Sequence, residues 1–174
     1  MGSALRMDSV EADLHIDADP QEVWDYAMDP ASTPEWVTIV RRVEHADDGP
    51  LEPGFRMDQR LCLRGVPFTV HWQLKDVDAP RYARWEGRGP ARSKAVIEDR
   101  LEAEDGGTRF TYKNEFHTPF GALGALASKA LTGGVPRREA LASLQRLKGI
   151  LERPPSGRAS GAGARGRRPS PAAR

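Results

Sequence analysis

The amino-acid sequence predicts an α+β domain in which seven antiparallel strands are followed by a long C-terminal helix, with two short helices between the first two strands. Three observations predict it. Residues 9–17 alternate apolar and polar side chains. Turn signals then recur roughly every 11 to 18 residues along the middle of the chain, and the apolar residues beyond Pro119 follow a helical period.

The first strand and the two short helices lie at the beginning of the sequence. In residues 9–17 every second residue is apolar, which is typical of a strand with one face in water. Asp19 is a good N-cap and Pro20 suits the first helical position, so a short helix begins there and ends near Pro30. Residues 33–36 predict a second short helical turn before the chain becomes extended.

Six further strands fill the middle of the chain. Gly, Pro and Asp cluster at the turns, as in Asp105-Gly106, because Gly tolerates positive φ and Pro fixes φ. The short spacing between turns favours strands that pair with their neighbours in sequence. The predicted strands span residues 38–46, 54–64, 67–77, 82–88, 93–104 and 108–117.

The C-terminal helix is predicted from leucines at helical spacing. Leu144, Leu147 and Leu151 share one face, and the pattern begins near residue 121. The segment 133–136, Gly-Gly-Val-Pro, interrupts it, because proline lacks a backbone donor and biases the residue before it away from helix. The helix is therefore expected to break there, with Pro136 in the first turn of its second half.

Composition sets the class of protein. The chain has 174 residues, 39% of them hydrophobic and 29% charged, which predicts one soluble domain with a core of its own. Cys62 is the single cysteine, so no internal disulfide can form, and this predicts a reducing, cytoplasmic location. No apolar run approaches the roughly 18 residues of a membrane span, which predicts a protein without one.

The charges divide the chain into a body and a tail. Six of the 26 Lys and Arg residues lie beyond residue 152, so residues 1–152 carry 20 basic against 25 acidic side chains, a net charge of −5. The tail is rich in Arg, Pro and Gly and has no aromatic residue, which is typical of disorder. We expect a flexible N-terminus at residues 1–7, a domain at 8–152 and a disordered tail at 153–174.

Short phrases along residues 8–152 match a known family in order. They are Ile16 to Pro20 with Val23-Trp24, Asp29-Pro30 with Pro34-Glu35-Trp36, Pro53-Gly54, Trp85-Glu86-Gly87, Gly107-Thr108-Arg109-Phe110 and Leu144-x-x-Leu147-Lys148. The chain thereby resembles the START-like (SRPBCC) superfamily, in particular the polyketide cyclase/dehydrase and lipid-transport family. The resemblance implies a helix-grip (START/Bet v 1-like) fold, in which a curved sheet wraps around the C-terminal helix and leaves a deep cavity.

Alternation along the strands assigns the side chains that face this cavity. Gln59, Asp99 and Asn114 are polar residues on an otherwise apolar face, and burying each without a partner would cost about 1–3 kcal/mol. They either orient a ligand, bond to each other and to the backbone, or lie in water at strand ends. The inward aromatic residues likewise either line the cavity or fill a core. The candidate ligand-binding residues are Trp36, Met57, Gln59, Phe68, Trp72, Trp85, Asp99, Tyr112, Asn114 and Phe116.

Catalytic signals are sparse. The four histidines fall on separate predicted strands, and the sequence has no nucleophile motif, no set of metal ligands and no phosphate-binding loop in a structured segment. It therefore predicts no metal and no cofactor. Asp99 is the one candidate catalytic residue, because burial of a carboxyl in an apolar cavity raises its pKa and prepares it for proton transfer.

Three functions stay open at this point. The first is binding of a hydrophobic small molecule, such as a lipid, polyketide or related metabolite, for transport or sequestration. The second is an aromatic polyketide cyclase or dehydrase that acts in the same cavity by positioning a reactive chain. The third is a resistance protein that sequesters a toxic natural product. In each case the expected partner is a hydrophobic small molecule and not a nucleic acid, and binding is preferred over catalysis.

Overall fold

The structure, a computed structural model, describes residues 6–118 and 135–153 and has the predicted order of elements. Every predicted strand is present, with ends within two residues of those expected, except that the first begins three residues earlier. The elements are β1 (Arg6–Ile16), α1 (Pro20–Ala27), α2 (Thr33–Trp36), β2 (Val40–Ala46), β3 (Arg56–Leu63), β4 (Val66–Asp78), β5 (Tyr82–Arg88), a 3-10 turn (Pro90–Arg92), β6 (Lys94–Glu104), β7 (Gly107–Thr118) and α3 (Val135–Leu151).

The seven strands form one antiparallel sheet. Its order is β1-β7-β6-β5-β4-β3-β2, so β2 to β7 form a meander and β1 pairs with β7 along its whole length. Register shifts interrupt the β2–β3 and β4–β5 pairs, and such bulges bend and twist a sheet. The sheet is therefore curved, with an apolar concave face and a charged convex face.

The two short helices connect the outer strands of the sheet, β1 and β2. The Asp19 carboxylate accepts the backbone N–H of Gln21 at 2.8 Å and Pro20 occupies the first turn, as the sequence predicts. Val23 and Trp24 are buried in the core beneath α1. These caps fix the direction in which α1 and α2 cross the end of the concave face.

α3 closes the concave side by packing against β1 and α2. Leu144 and Leu147 on its inner face are fully buried. Near its C-terminal end, Lys148 Nζ donates to the carbonyl oxygen of His15 at 2.9 Å, and the Glu152 carboxylate accepts the backbone N–H of Asp17 at 2.7 Å. This arrangement is the helix-grip fold that the family resemblance implies, with the helix fixed to the end of β1.

The helix after the predicted break has the expected start. α3 begins at Val135 and has Pro136 in its first turn, where a missing backbone donor costs nothing. The predicted helical segment before it, at residues 121–132, lies outside the described residues. The predicted tail lies outside them too, apart from Arg153, and so does most of the N-terminal segment expected to be flexible.

Candidate functional site

A cavity of about 700 Å³ lies between the concave face of the sheet and the short helices α1 and α2, and no described residue of α3 lines it. Small-molecule sites typically enclose about 300–1,000 Å³, so this volume is large enough for an organic ligand. Among the residues that line it, Val66 in the β3–β4 turn and Lys94 after the 3-10 turn are exposed. The cavity therefore reaches solvent at the end of the sheet where these two turns lie.

All ten residues that the sequence picked as candidate ligand contacts lie in the wall of this cavity. Strand alternation predicted their direction correctly, because β3 to β7 carry no bulge that would reverse their faces at these positions. Seven of the ten are buried, and three are half-buried and face the interior. The wall includes Trp36, Met57, Gln59, Phe68, Trp72, Trp85, Asp99, Tyr112, Asn114 and Phe116.

The aromatic part of the wall depends on a glycine. Gly87 on β5 pairs with Trp72 on β4, and a Cβ at Gly87 would lie 2.6 Å from Trp72 Cε3. Glycine thus lets the indole lie flat on the neighbouring backbone instead of filling the cavity. Trp36 packs against Phe110 with ring centroids 6.1 Å apart, and Trp85 meets Phe55 edge to face. The aromatic residues therefore act both as core and as lining.

The buried polar residues of the wall are only partly satisfied. Asn114 Nδ2 donates to the Tyr112 hydroxyl at 2.9 Å, and Gln59 Nε2 contacts Met57 Sδ at 3.3 Å. Four buried polar atoms of the described residues have no partner: Trp36 Nε1, Trp72 Nε1, Asp99 Oδ1 and Asn114 Oδ1. Leaving a buried polar group unpaired costs about 1–3 kcal/mol of stability. These four atoms are therefore available for hydrogen bonds to a ligand or to water.

Asp99 is the most unusual of them. Its side chain is 5% exposed, and its nearest cross-strand neighbours are Ala83 on β5 and Tyr112 on β7. Burial raises the pKa of Asp99 to about 8, the direction expected from the sequence, because an ionised carboxylate loses its hydration there. Burial, and then the Asp99 charge, raise the pKa of Tyr112 as well. The Asp99 carboxyl group therefore keeps its proton to a higher pH than an ordinary aspartate does.

His71 lines the cavity but, like His15, pairs with a surface carboxylate and not with Asp99. His71 Nδ1 lies 2.8 Å from an Asp58 carboxylate oxygen, and His15 Nε2 lies 2.9 Å from an Asp17 carboxylate oxygen, in both cases at the protein surface. Within residues 6–118 and 135–153, no three His, Cys, Asp or Glu side chains are grouped closely enough to hold a metal ion. Proton transfer in the cavity would thus depend on Asp99 and Tyr112.

Sequence reasoning missed the part of the wall that the helices and turns supply. Ala27 and Met28 at the end of α1, Thr33 on α2, and residues 89–91 and 93–94 around the 3-10 turn also line the cavity. The apolar face that Val23 shares with Ala27 could have indicated the α1 residues. No local pattern marks the turn residues, because their position depends on the curvature of the whole sheet.

The sequence profile of the polyketide cyclase/dehydrase and lipid-transport family matches residues 7–152. The chain belongs to this family. The match covers every element from β1 to α3, and therefore the whole cavity wall. No curated protein matches the chain.

Solved structures show the same fold as this family member. The Zhui aromatase/cyclase from Streptomyces sp. R1128 superposes with a TM-score of 0.70 at 20% identity, over 84% of this chain and 94% of that one. Protein SA2116 from Staphylococcus aureus, described as of unknown function, gives 0.65 at 13% identity, over 85% and 95%. Ara h 8.0201 gives 0.58 at 16% identity, over 84% and 98%. At such identities the likeness concerns the fold alone.

The described part of this family member has no helix that is long and apolar enough to cross a membrane. The Cys62 thiol is free and half-buried on β3.

Proposed function

We propose that this protein binds a hydrophobic small molecule, such as a lipid, polyketide or related metabolite, in the cavity for transport or sequestration. The observation that carries the proposal is a cavity of about 700 Å³ with an aromatic wall and four unpartnered buried polar atoms. We further propose that residues 8–152 are the binding unit and that the ten candidate residues of the wall contact the ligand. Family membership supports both proposals.

The energetics of such a cavity favour binding without any reaction. A ligand that hides about 300 Å² of apolar surface gains about 7 kcal/mol from burial. Ordering costs reduce this gain, and hydrogen bonds to the unpartnered indole N–H groups and to the Asn114 carbonyl oxygen add to it. Micromolar affinity requires about 8 kcal/mol after these costs, so the ligand must bury more than about 300 Å² or form several such bonds, and a cavity of about 700 Å³ leaves room for both.

The first experiment is native mass spectrometry of the freshly purified full chain, followed by organic extraction and titration with N-phenyl-1-naphthylamine. We expect either a stoichiometric apolar adduct or binding of the probe. Ala95→Phe, which places a ring in the cavity, should weaken probe binding at least tenfold. Ala103→Phe, on the exposed part of the same strand, is the matched control and should bind like wild type. Wild type with no adduct and no probe binding would refute the proposal.

A second candidate function is an aromatic polyketide cyclase or dehydrase acting in the same cavity. Asp99 favours it, because a buried carboxyl whose pKa is about 8 can donate or accept a proton near neutral pH. The similarity in fold to the Zhui aromatase/cyclase is consistent with it. Incubation with a reactive poly-ketone thioester tests it: Asp99→Asn should abolish product formation while the affinity for a neutral ligand hardly changes. Equal rates in wild type and buffer would leave binding as the function.

A further inference from the structure

Acidic and basic side chains are unevenly distributed in the wall of the cavity. The ionisable residues of its wall are Arg60, His71, Lys94, Asp99 and Tyr112. Asp99 is the one carboxyl among them, and none of the described lining residues is a buried cation that could pair with it. Asp99 lies on β6, and its cross-strand neighbours are Ala83 on β5 and Tyr112 on β7. The helix α1, which packs nearby, presents apolar side chains. A buried carboxyl therefore lies in the wall, and no described residue supplies it with a partner of opposite charge.

The three basic residues of the wall do not supply that partner. The guanidinium of Arg60 donates to Thr69 Oγ1 at 3.1 Å, and His71 bonds to Asp58. Both residues occupy outward positions in the alternation of β3 and β4. Lys94 is exposed at the start of β6, five residues from Asp99, a distance of about 17 Å along a strand. The basic residues of the wall thus lie at outward positions or at its exposed end, and the carboxyl of Asp99 lies inside.

We infer that the ligand is a lipophilic amine, whose cationic nitrogen pairs with the Asp99 carboxylate while its apolar body contacts the aromatic wall. The inference rests on the proposed binding function and narrows its ligand to one chemical class. A buried ion pair is favourable only where each charge has its partner and neighbouring groups complete the hydrogen bonds. The Asn114 carbonyl oxygen, which is unpartnered, is available as a second acceptor for an ammonium group.

Two further features agree with a cationic ligand. Trp36, Trp72 and Trp85 lie in the same wall, and the faces of indole rings attract cations. Residues 1–152 carry a net charge of −5, which attracts a cation from solution. A fatty acid, by contrast, would bring a second carboxylate towards Asp99, or would have to bind with its head group at Lys94.

The test compares three ligands of equal chain length on the full-length protein: decylamine, decanol and decanoate. Affinities are measured at pH 8 by displacement of N-phenyl-1-naphthylamine and by calorimetry. We expect decylamine to bind at least about tenfold more tightly than decanol, because a hydrogen bond to a charged group contributes about 1.5–3 kcal/mol. Asp99→Asn should reduce this preference for decylamine over decanol to less than twofold. Glu98→Gln removes a carboxylate from the outer face of the same strand and should keep the preference.

The pH dependence of the wild type is a second, independent readout. Below pH 8 the amine must displace a proton from Asp99, so decylamine affinity should fall about tenfold per pH unit from pH 8 to pH 6. Decanol affinity should not follow this slope. Equal binding of decylamine and decanol, or a preference for decanoate, would overturn the amine inference and leave the proposed function intact. Failure of all three ligands to displace a bound probe would overturn the amine inference as well, whereas wild type that does not bind the probe at all would count against the binding function itself.

Discussion

Replacing Asp99 by Asn should change how the stability of the ligand-free protein depends on pH. The carboxyl is 5% exposed and Oδ1 has no partner, and its burial raises the pKa from 3.8 to about 8. An acid with a raised pKa stabilises the fold while it is protonated, and this contribution is lost as the pH rises. Asparagine has nearly the same shape but does not titrate, so the variant lacks the dependence.

The magnitude follows from proton linkage. Between about pH 4 and pH 8 the folded protein keeps a proton on Asp99 that the unfolded chain has released. Over this window the wild-type free energy of unfolding should fall by about 1.4 kcal/mol per pH unit on account of this group. The difference between Asp99→Asn and wild type should therefore grow by about 2.7 kcal/mol between pH 5 and pH 7. Every other titrating group cancels in this difference.

The assay is urea unfolding at pH 5, 6, 7 and 8, followed by tryptophan fluorescence, on protein refolded without ligand. Glu98→Gln is the matched control, since Glu98 lies on the opposite face of β6, 3.3 Å from Arg100 in an ion pair. Its stability curve should run parallel to wild type. A difference between Asp99→Asn and wild type that stays constant within about 0.5 kcal/mol would refute the reasoning, because it would mean that Asp99 is ionised in the fold.

Three further outcomes are expected. Gly87→Ala should lower the free energy of unfolding by about 1–3 kcal/mol and weaken probe binding, because the new methyl group displaces Trp72. An unchanged free energy of unfolding would contradict the close approach of Gly87 to the Trp72 ring. Thr108→Val should cost about 1–3 kcal/mol in urea unfolding, because it removes the buried 2.7 Å bond from Thr108 Oγ1 to the Ala18 carbonyl oxygen. A neutral effect would show that this bond adds no net stability. Removal of residues 153–174 should leave probe affinity unchanged, and a lower affinity would assign the tail a role in binding.

The sequence predicted the strands and their faces well, because alternation and turn chemistry are local properties. β1 begins at Arg6, earlier than predicted, because its pairing with β7 continues to Thr118 and does not require an alternating sequence. The sequence predicted that the polar residues lie in the wall, but it did not predict their hydrogen-bond partners. Whether Asn114 donates to Tyr112 depends on side-chain rotamers and on the curvature of neighbouring strands, which no short pattern encodes.

The residues that specify the fold and the residues that specify the ligand are largely separate in this protein. Asp19, the N-cap of α1, and Lys148, which fixes α3 to β1, help to determine the path of the chain, and neither lines the cavity. Structures that are only 13–20% identical have the same fold, so the cavity wall can differ while the architecture is kept. Under the amine inference, a single carboxyl at Asp99 selects the charge of the ligand without a new fold. Ligand class in this family should accordingly be inferred from the unpartnered polar atoms of each wall, since overall likeness carries no information about them.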